Sequence, residues 1–151
     1  MESQKSNTAD REINISRILD APIDLVWEAW TDAQHIANWW GPKGFTNSFH
    51  EFNLKPGGKW VLTMHGPNGG NYENESVFEK IIAPELIVWN RVSKPLFRVE
   101  ASFEALGNKT TIIFKMIFPT AEDRNKVINF VPASNEENFD RLEAELAKMV
   151  K

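Results

Sequence analysis

The chain has 151 residues, 42% hydrophobic and 25% charged, with six tryptophans, ten phenylalanines, one tyrosine and no cysteine. That is about one soluble domain's worth of sequence, and the missing thiols exclude a disulfide-stapled module, a thiolate zinc site and a cysteine nucleophile. Seventeen basic against 21 acidic residues give a net charge of −4; with no basic cluster, this argues against a nucleic-acid partner. No apolar run approaches the ~20 residues of a membrane span, and Met1 to Lys5 offers no apolar segment for a signal peptide. The expectation is a cytoplasmic protein with no membrane partner. Six bulky indoles in so short a chain point to an aromatic core or to a lined cavity.

Residues 1–10 are polar and read as a loose N-terminus, with one domain from residue 11 to 151. Glu12 to Ser16 alternates with period two, a half-buried strand. Pro22 then opens a helix in which Ile23, Val26, Trp27 and Trp30 share a face, and a second short helix covers Ala33 to Trp39 until Gly41-Pro42 stops it. Six further strands follow at about Phe45–Leu54, Lys59–His65, Tyr72–Ile82, Leu86–Val92, Phe97–Ala105 and Thr110–Phe118, separated by short turns rich in Gly, Pro and Asn. Thr120 suits an N-cap, with Asp123 three residues on. The apolar stripe Val127, Ile128, Val131, Phe139, Leu142, Leu146 and Met149 is interrupted by Pro132, which predicts one short and one long final helix. Consecutive strands with segregated helices make an antiparallel α+β fold, whose inner face only the last helix is long enough to cover.

Several segments, taken in order, resemble the activator-of-Hsp90-ATPase-homologue-1-like proteins of the START/Bet v 1-like helix-grip (SRPBCC) superfamily. They are Ala21-Pro22 with Leu25-Val26-Trp27, Trp39-Trp40-Gly41-Pro42, Asn53-Leu54-Lys55-Pro56-Gly57-Gly58-Lys59-Trp60, Pro84-Glu85-Leu86-Ile87-Val88-Trp89, and Phe139-Asp140-Arg141-Leu142. The resemblance runs from Arg11 to Ala147. It implies a seven-stranded curved sheet gripping the C-terminal helix, with a cavity between them. The chain departs from the family at Asn53, usually acidic there, and at Ser134-Asn135, where Gly-Trp is common. Members differ in function, so the fold alone does not assign one.

The candidate ligand-binding residues follow from which strand positions face inward. A hairpin turn centred on Pro56-Gly57 sets Asn53 opposite Trp60, Glu51 opposite Leu62 and Phe49 opposite Met64. Phe49, Trp60, Leu62, Met64, Trp89 and Phe103 then supply an apolar inner face, joined by Phe139 from the last helix. Glu51 in that company would have a raised pKa, whereas a register slip of one residue would turn it to solvent. Glu75 alternates with Glu73 and Glu79 on one face of its strand, opposite Asn74, Ser76 and Phe78; it is a second interior carboxylate if that face is the inner one. Trp39 and Trp40 have two readings, as a lid over the cavity or as a seal between the short helices and the sheet. His50 and His65 share the other face of the hairpin without an apparent third ligand, and His35 reads as a surface residue, so no metal is assigned. No nucleophile elbow, phosphate loop or dinucleotide fingerprint is present.

The expected function is binding of a small hydrophobic or aromatic molecule between sheet and last helix, by a monomer or homodimer, with no cofactor and no assigned catalytic residue. The family resemblance adds an alternative, a module acting on an Hsp90-type chaperone ATPase. A third possibility is catalysis in the cavity with Glu51 or Glu75 as base.

Overall fold

Alternation of apolar and polar side chains along the strands decides which face of the sheet is buried, and the last helix covers that face. In the computed structural model, which describes residues 8–149, the strands are β1 (Glu12–Leu19), β2 (Thr46–Phe52), β3 (Lys59–His65), β4 (Asn71–Ile82), β5 (Leu86–Arg91), β6 (Phe97–Leu106) and β7 (Lys109–Ile117). They form one antiparallel sheet in the order β1-β7-β6-β5-β4-β3-β2. The helices are α1 (Ile23–Thr31), α2 (Ala33–Trp39), α3 (Ala121–Val127) and α4 (Val131–Met149). Thr120 caps α3 by accepting from the Asp123 amide. Pro132 lies in the first turn of α4, where its missing N–H breaks no helical bond, so the chain divides there as expected. The expectation of a loose N-terminus over residues 1–10 falls largely on residues 1–7, which lie outside the described residues; Ala9–Arg11 forms a 3-10 turn.

The β2–β3 hairpin departs from the expected register. Phe52 pairs with Trp60, Glu51 with Val61, Phe49 with Leu62 and Asn47 with Met64, and the register shifts between Phe49 and Glu51. The extra residue at that bulge is His50, and an inserted residue turns the side chains beyond it to the other face. Glu51 is therefore exposed rather than interior. The adjoining turn is fixed by two glycines. Gly57 has φ +85°, and a Cβ on Gly58 would lie 2.0 Å from the Asn53 carbonyl oxygen, so only glycine fits.

The stripe on α4 buries Phe139, Leu142 and Leu146 against the sheet, each contributing about 1.5–3 kcal/mol. Polar contacts set the helix in place. From β1, Arg17 reaches Glu136, Asp140 and Glu143 on successive turns of α4 and lies over the Phe139 ring. On α4, Arg141 donates to the carbonyls of Trp40, Gly41 and Pro42 at 2.9–3.1 Å and to that of Asn38 at 3.0 Å. One guanidinium thereby gathers the carbonyls at the C-terminal end of α2, where the helix dipole favours a cation. Further along, the buried carboxylate of Glu145 meets His35 Nδ1 at 2.7 Å and Asn38 Nδ2 at 3.2 Å. His35 is thus a half-buried link between α2 and α4, not the free surface residue expected.

Replacing Arg141 with Met should destabilise the protein by about 2–3 kcal/mol, because hydrogen bonds from a charged donor are lost at part-buried carbonyls. Urea unfolding measures this, and a change below about 0.5 kcal/mol would contradict it. The hydrogen bond to Glu145, aided by the negative charges of Asp32 and Glu28, raises the His35 pKa above the ordinary ~6.5, with burial opposing. A histidine raised on folding stabilises fully below its unfolded pKa and loses that stabilisation as pH climbs through the folded one. The urea midpoint should therefore fall between pH 6 and pH 8.5, and His35→Gln should flatten the decline. An equal decline in both proteins would show that this pair is not its source.

Candidate functional site

A cavity of about 140 Å³ lies between the inner face of the sheet and the N-terminal half of α4. Its walls come from β3 to β7, from Ser134, Asn135 and Asn138 on α4, and from the Trp40-Gly41-Pro42 segment that follows α2. Trp60, Leu62, Trp89, Val99, Phe114 and Met116 are its buried apolar members, whereas Pro42, Met64, Arg91, Phe97 and Ser134 are only half-buried and mark its mouth. Gly41 is held there from both sides. Its amide donates to Asn138 Oδ1, its carbonyl accepts from Arg141, and at φ +99° an added Cβ would lie 2.9 Å from Met64 Cε.

Five of the residues expected from the sequence line this cavity: Trp40, Trp60, Leu62, Met64 and Trp89. Their rings form a continuous set, with Trp40 and Trp60 centroids 4.8 Å apart and Trp60 and Trp89 5.4 Å apart. The other four aromatic candidates are packing residues. Trp39 Nε1 donates to the Ala29 carbonyl at 2.9 Å and seals α2 onto α1. Phe103 lies edge-on to Trp27 and Trp30, Phe139 edge-on to Phe114, and Phe49 against Phe52 and Trp60. The two readings of the Trp39-Trp40 pair are thus divided between its members: the first is a seal, the second lines the cavity.

Neither expected carboxylate lines the cavity. Glu51 follows the His50 bulge to the outer face. Glu75 pairs with Val61 and lies 3.4 Å from Lys59 Nζ, while Asn74 and Ser76, its neighbours along the strand, are buried and line the cavity. The outer histidines are also taken up: His50 bonds Thr63, and His65 bonds Ser48 and Asn71. Among the described residues, three potential metal ligands converge at Glu28, Asp32 and His35. There the His35 Nδ1 is already engaged by Glu145, and the Asp32 carboxylate caps α2.

The polar lining carries no acid. Asn74, Ser76, Ser134, Asn135 and Asn138 are neutral, and Arg91 is the one charged member. Arg91 donates from Nε to the Ser93 carbonyl and from Nη2 to the Lys94 carbonyl, and its guanidinium lies 5.5 Å from the Phe97 ring centre. Burial lowers its pKa, and among the described residues it has no carboxylate partner to oppose that; the group stays protonated at any physiological pH. Trp60 is 2% exposed, and its Nε1–H has no hydrogen-bond partner among the described residues. The strand alternation of Asn74 and Ser76 with Phe78 was the available signal for the first two. Asn135 and Asn138 give no sequence signal, because asparagine on an apolar stripe breaks the pattern that identifies it.

A larger groove, lined by Arg11, Arg98, Glu100 and Lys115 among others, is already internally satisfied. Arg98 pairs with Glu79 and Glu100, and Arg11 bonds the Phe118 carbonyl.

No helix among the described residues is long and apolar enough to cross a membrane. The family model for activator of Hsp90 ATPase homolog 1-like protein matches residues 20–149, and no curated protein matches the chain. Among solved structures, a protein from Nitrosomonas europaea superimposes with TM-score 0.87 at 18% identity, covering 96% of this chain and 99% of that one. A protein from Arthrobacter aurescens gives 0.86 at 22% identity, covering 97% and 91%. An AHSA1-like protein from Aeromonas hydrophila gives 0.73 at 18% identity, covering 88% and 92%. These likenesses establish the seven-stranded helix-grip architecture. With the family model spanning most of the sequence, the chain belongs to the activator of Hsp90 ATPase homolog 1-like family.

Proposed function

We propose that this protein binds a small, largely apolar molecule of about one aromatic ring in the cavity between the sheet and α4. The observation that carries this reading is the space beside Trp40, Trp60 and Trp89, about 140 Å³ with an apolar floor and a few convergent polar groups. That combination is the usual composition of a ligand site. The volume is below the 300–1,000 Å³ of drug-sized pockets but close to that of cavities known to admit benzene. The fold favours such use, since the sheet and the helix that covers it leave a volume between them.

Action on a chaperone ATPase draws on the family description alone. Large exposed apolar side chains such as Ile18, Ile82, Leu106 and Phe130 come from separate parts of the chain. Catalysis through Glu51 or Glu75 has no support from the geometry, because both lie on the outer face of the sheet.

Titration with a panel of one-ring aromatics, neutral and ionised, should quench or shift the tryptophan emission saturably for at least one member. Ser76→Leu, which fills part of the cavity from its wall, should weaken that binding at least tenfold while the protein stays folded by circular dichroism. Silence across the whole panel, or unchanged affinity in the filled variant, would contradict the proposal.

A further inference from the structure

The register of the sheet sets three hydrogen-bond donors in a row on the cavity wall. Trp60 of β3 pairs with Ser76 of β4, and Ser76 pairs with Arg91 of β5. All three line the cavity. Neighbouring strands run about 4.8 Å apart, so the side chains of Trp60, Ser76 and Arg91 stand next to one another on the same face of the sheet.

Each of the three has donor capacity to spare. The Trp60 Nε1–H is buried without a partner among the described residues. The Ser76 hydroxyl makes no hydrogen bond among the described residues, and Arg91 uses Nε and Nη2 on loop carbonyls with Nη1 left over. A buried N–H without an acceptor is destabilising, and a half-buried cation without a counter-ion is also unfavourable. The Ser93 and Lys94 carbonyls take up two Arg91 donors but bring no negative charge. The lining offers no carboxylate, so an anion entering this space meets one positive charge and no negative one.

We propose that the Trp60–Ser76–Arg91 rung recognises a carboxylate, and that the ligand class of this cavity is a single-ring aromatic acid. The inference rests on the reading of the cavity as a ligand site. In this arrangement the ring lies against Trp40 and Trp89, and the carboxylate accepts from Arg91 and Trp60. The Arg91 guanidinium is already oriented by the Ser93 and Lys94 carbonyls and by the face of Phe97, so little side-chain freedom is lost on binding.

Benzoate and its neutral isostere benzamide separate the charge from the ring. By calorimetry on the full chain at pH 7.5, benzoate should bind at least tenfold more tightly than benzamide, the usual advantage of a charge-assisted hydrogen bond. Arg91→Met should bring the two within about twofold, and Trp60→Phe, which removes only the orphan donor's ring nitrogen and its fused ring, should weaken benzoate about tenfold. If Arg91→Met does not fold, the wild-type preference and Trp60→Phe decide. Equal binding of the two compounds by the wild type overturns the carboxylate assignment and leaves the cavity reading intact. A benzoate preference that survives Arg91→Met places recognition elsewhere and overturns it too. Failure of benzoate, benzamide and every neutral ring to bind overturns both readings together.

Discussion

The packing of α4 across the inner face of the sheet is the constraint on which the rest of this structure depends. An open seven-stranded sheet cannot leave its apolar face in water, and α4 is the element with a stripe long enough to cover it. The two halves of the helix do this differently. From Phe139 onward, Phe139, Leu142 and Leu146 fill the interface. Before it, Ser134, Asn135 and Asn138 present shorter polar side chains, and the space they leave is the cavity. The cavity is therefore a consequence of which residues α4 carries toward its N-terminus.

Holding the helix at that distance requires contacts outside the cavity. Arg17 ties its outer side to β1, Glu145 ties it to α2 through His35 and Asn38, and Arg141 gathers the carbonyls around Trp40-Gly41-Pro42. The last of these matters most for the site. It fixes the segment that carries Trp40 and Gly41 to the cavity wall, so a half-buried cation on α4 governs the shape of an aromatic wall it does not enter. Asn138 completes the arrangement by accepting from the Gly41 amide. The same stretch of helix thus both leaves the space and supports its rim.

The sequence carried the architecture clearly, because periodicity and turn chemistry agree along its length. Pro22, Gly41-Pro42, Pro56-Gly57-Gly58 and Pro132 each fall at an element boundary, and the two periods change where the elements change. The family resemblance named the helix-grip arrangement, and the structure has it. The site was only partly legible. Large apolar residues alternating on β3 and β5 announce themselves, so the pattern sets Trp60, Leu62, Met64 and Trp89 on the inner face, where they line the cavity. Glu51 was misplaced because nothing in the sequence near His50 signals a bulge, and a single inserted residue reverses every side chain beyond it. Arg91, Asn135 and Asn138 were missed for the opposite reason: polar residues on a buried face look like surface until the strands and helix are assembled. Glu145 and His35 show the same blindness, since a buried carboxylate and its partner lie 110 positions apart.

The most direct test of the central claim is a crystal structure of the full chain pressurised with xenon, which occupies apolar cavities without needing a polar partner. The account predicts a xenon peak enclosed by Trp60, Trp89 and Asn138, with Trp40 and Met64 in the positions described. Electron density showing Trp40 or Met64 collapsed into that space, with no xenon bound there, would contradict it.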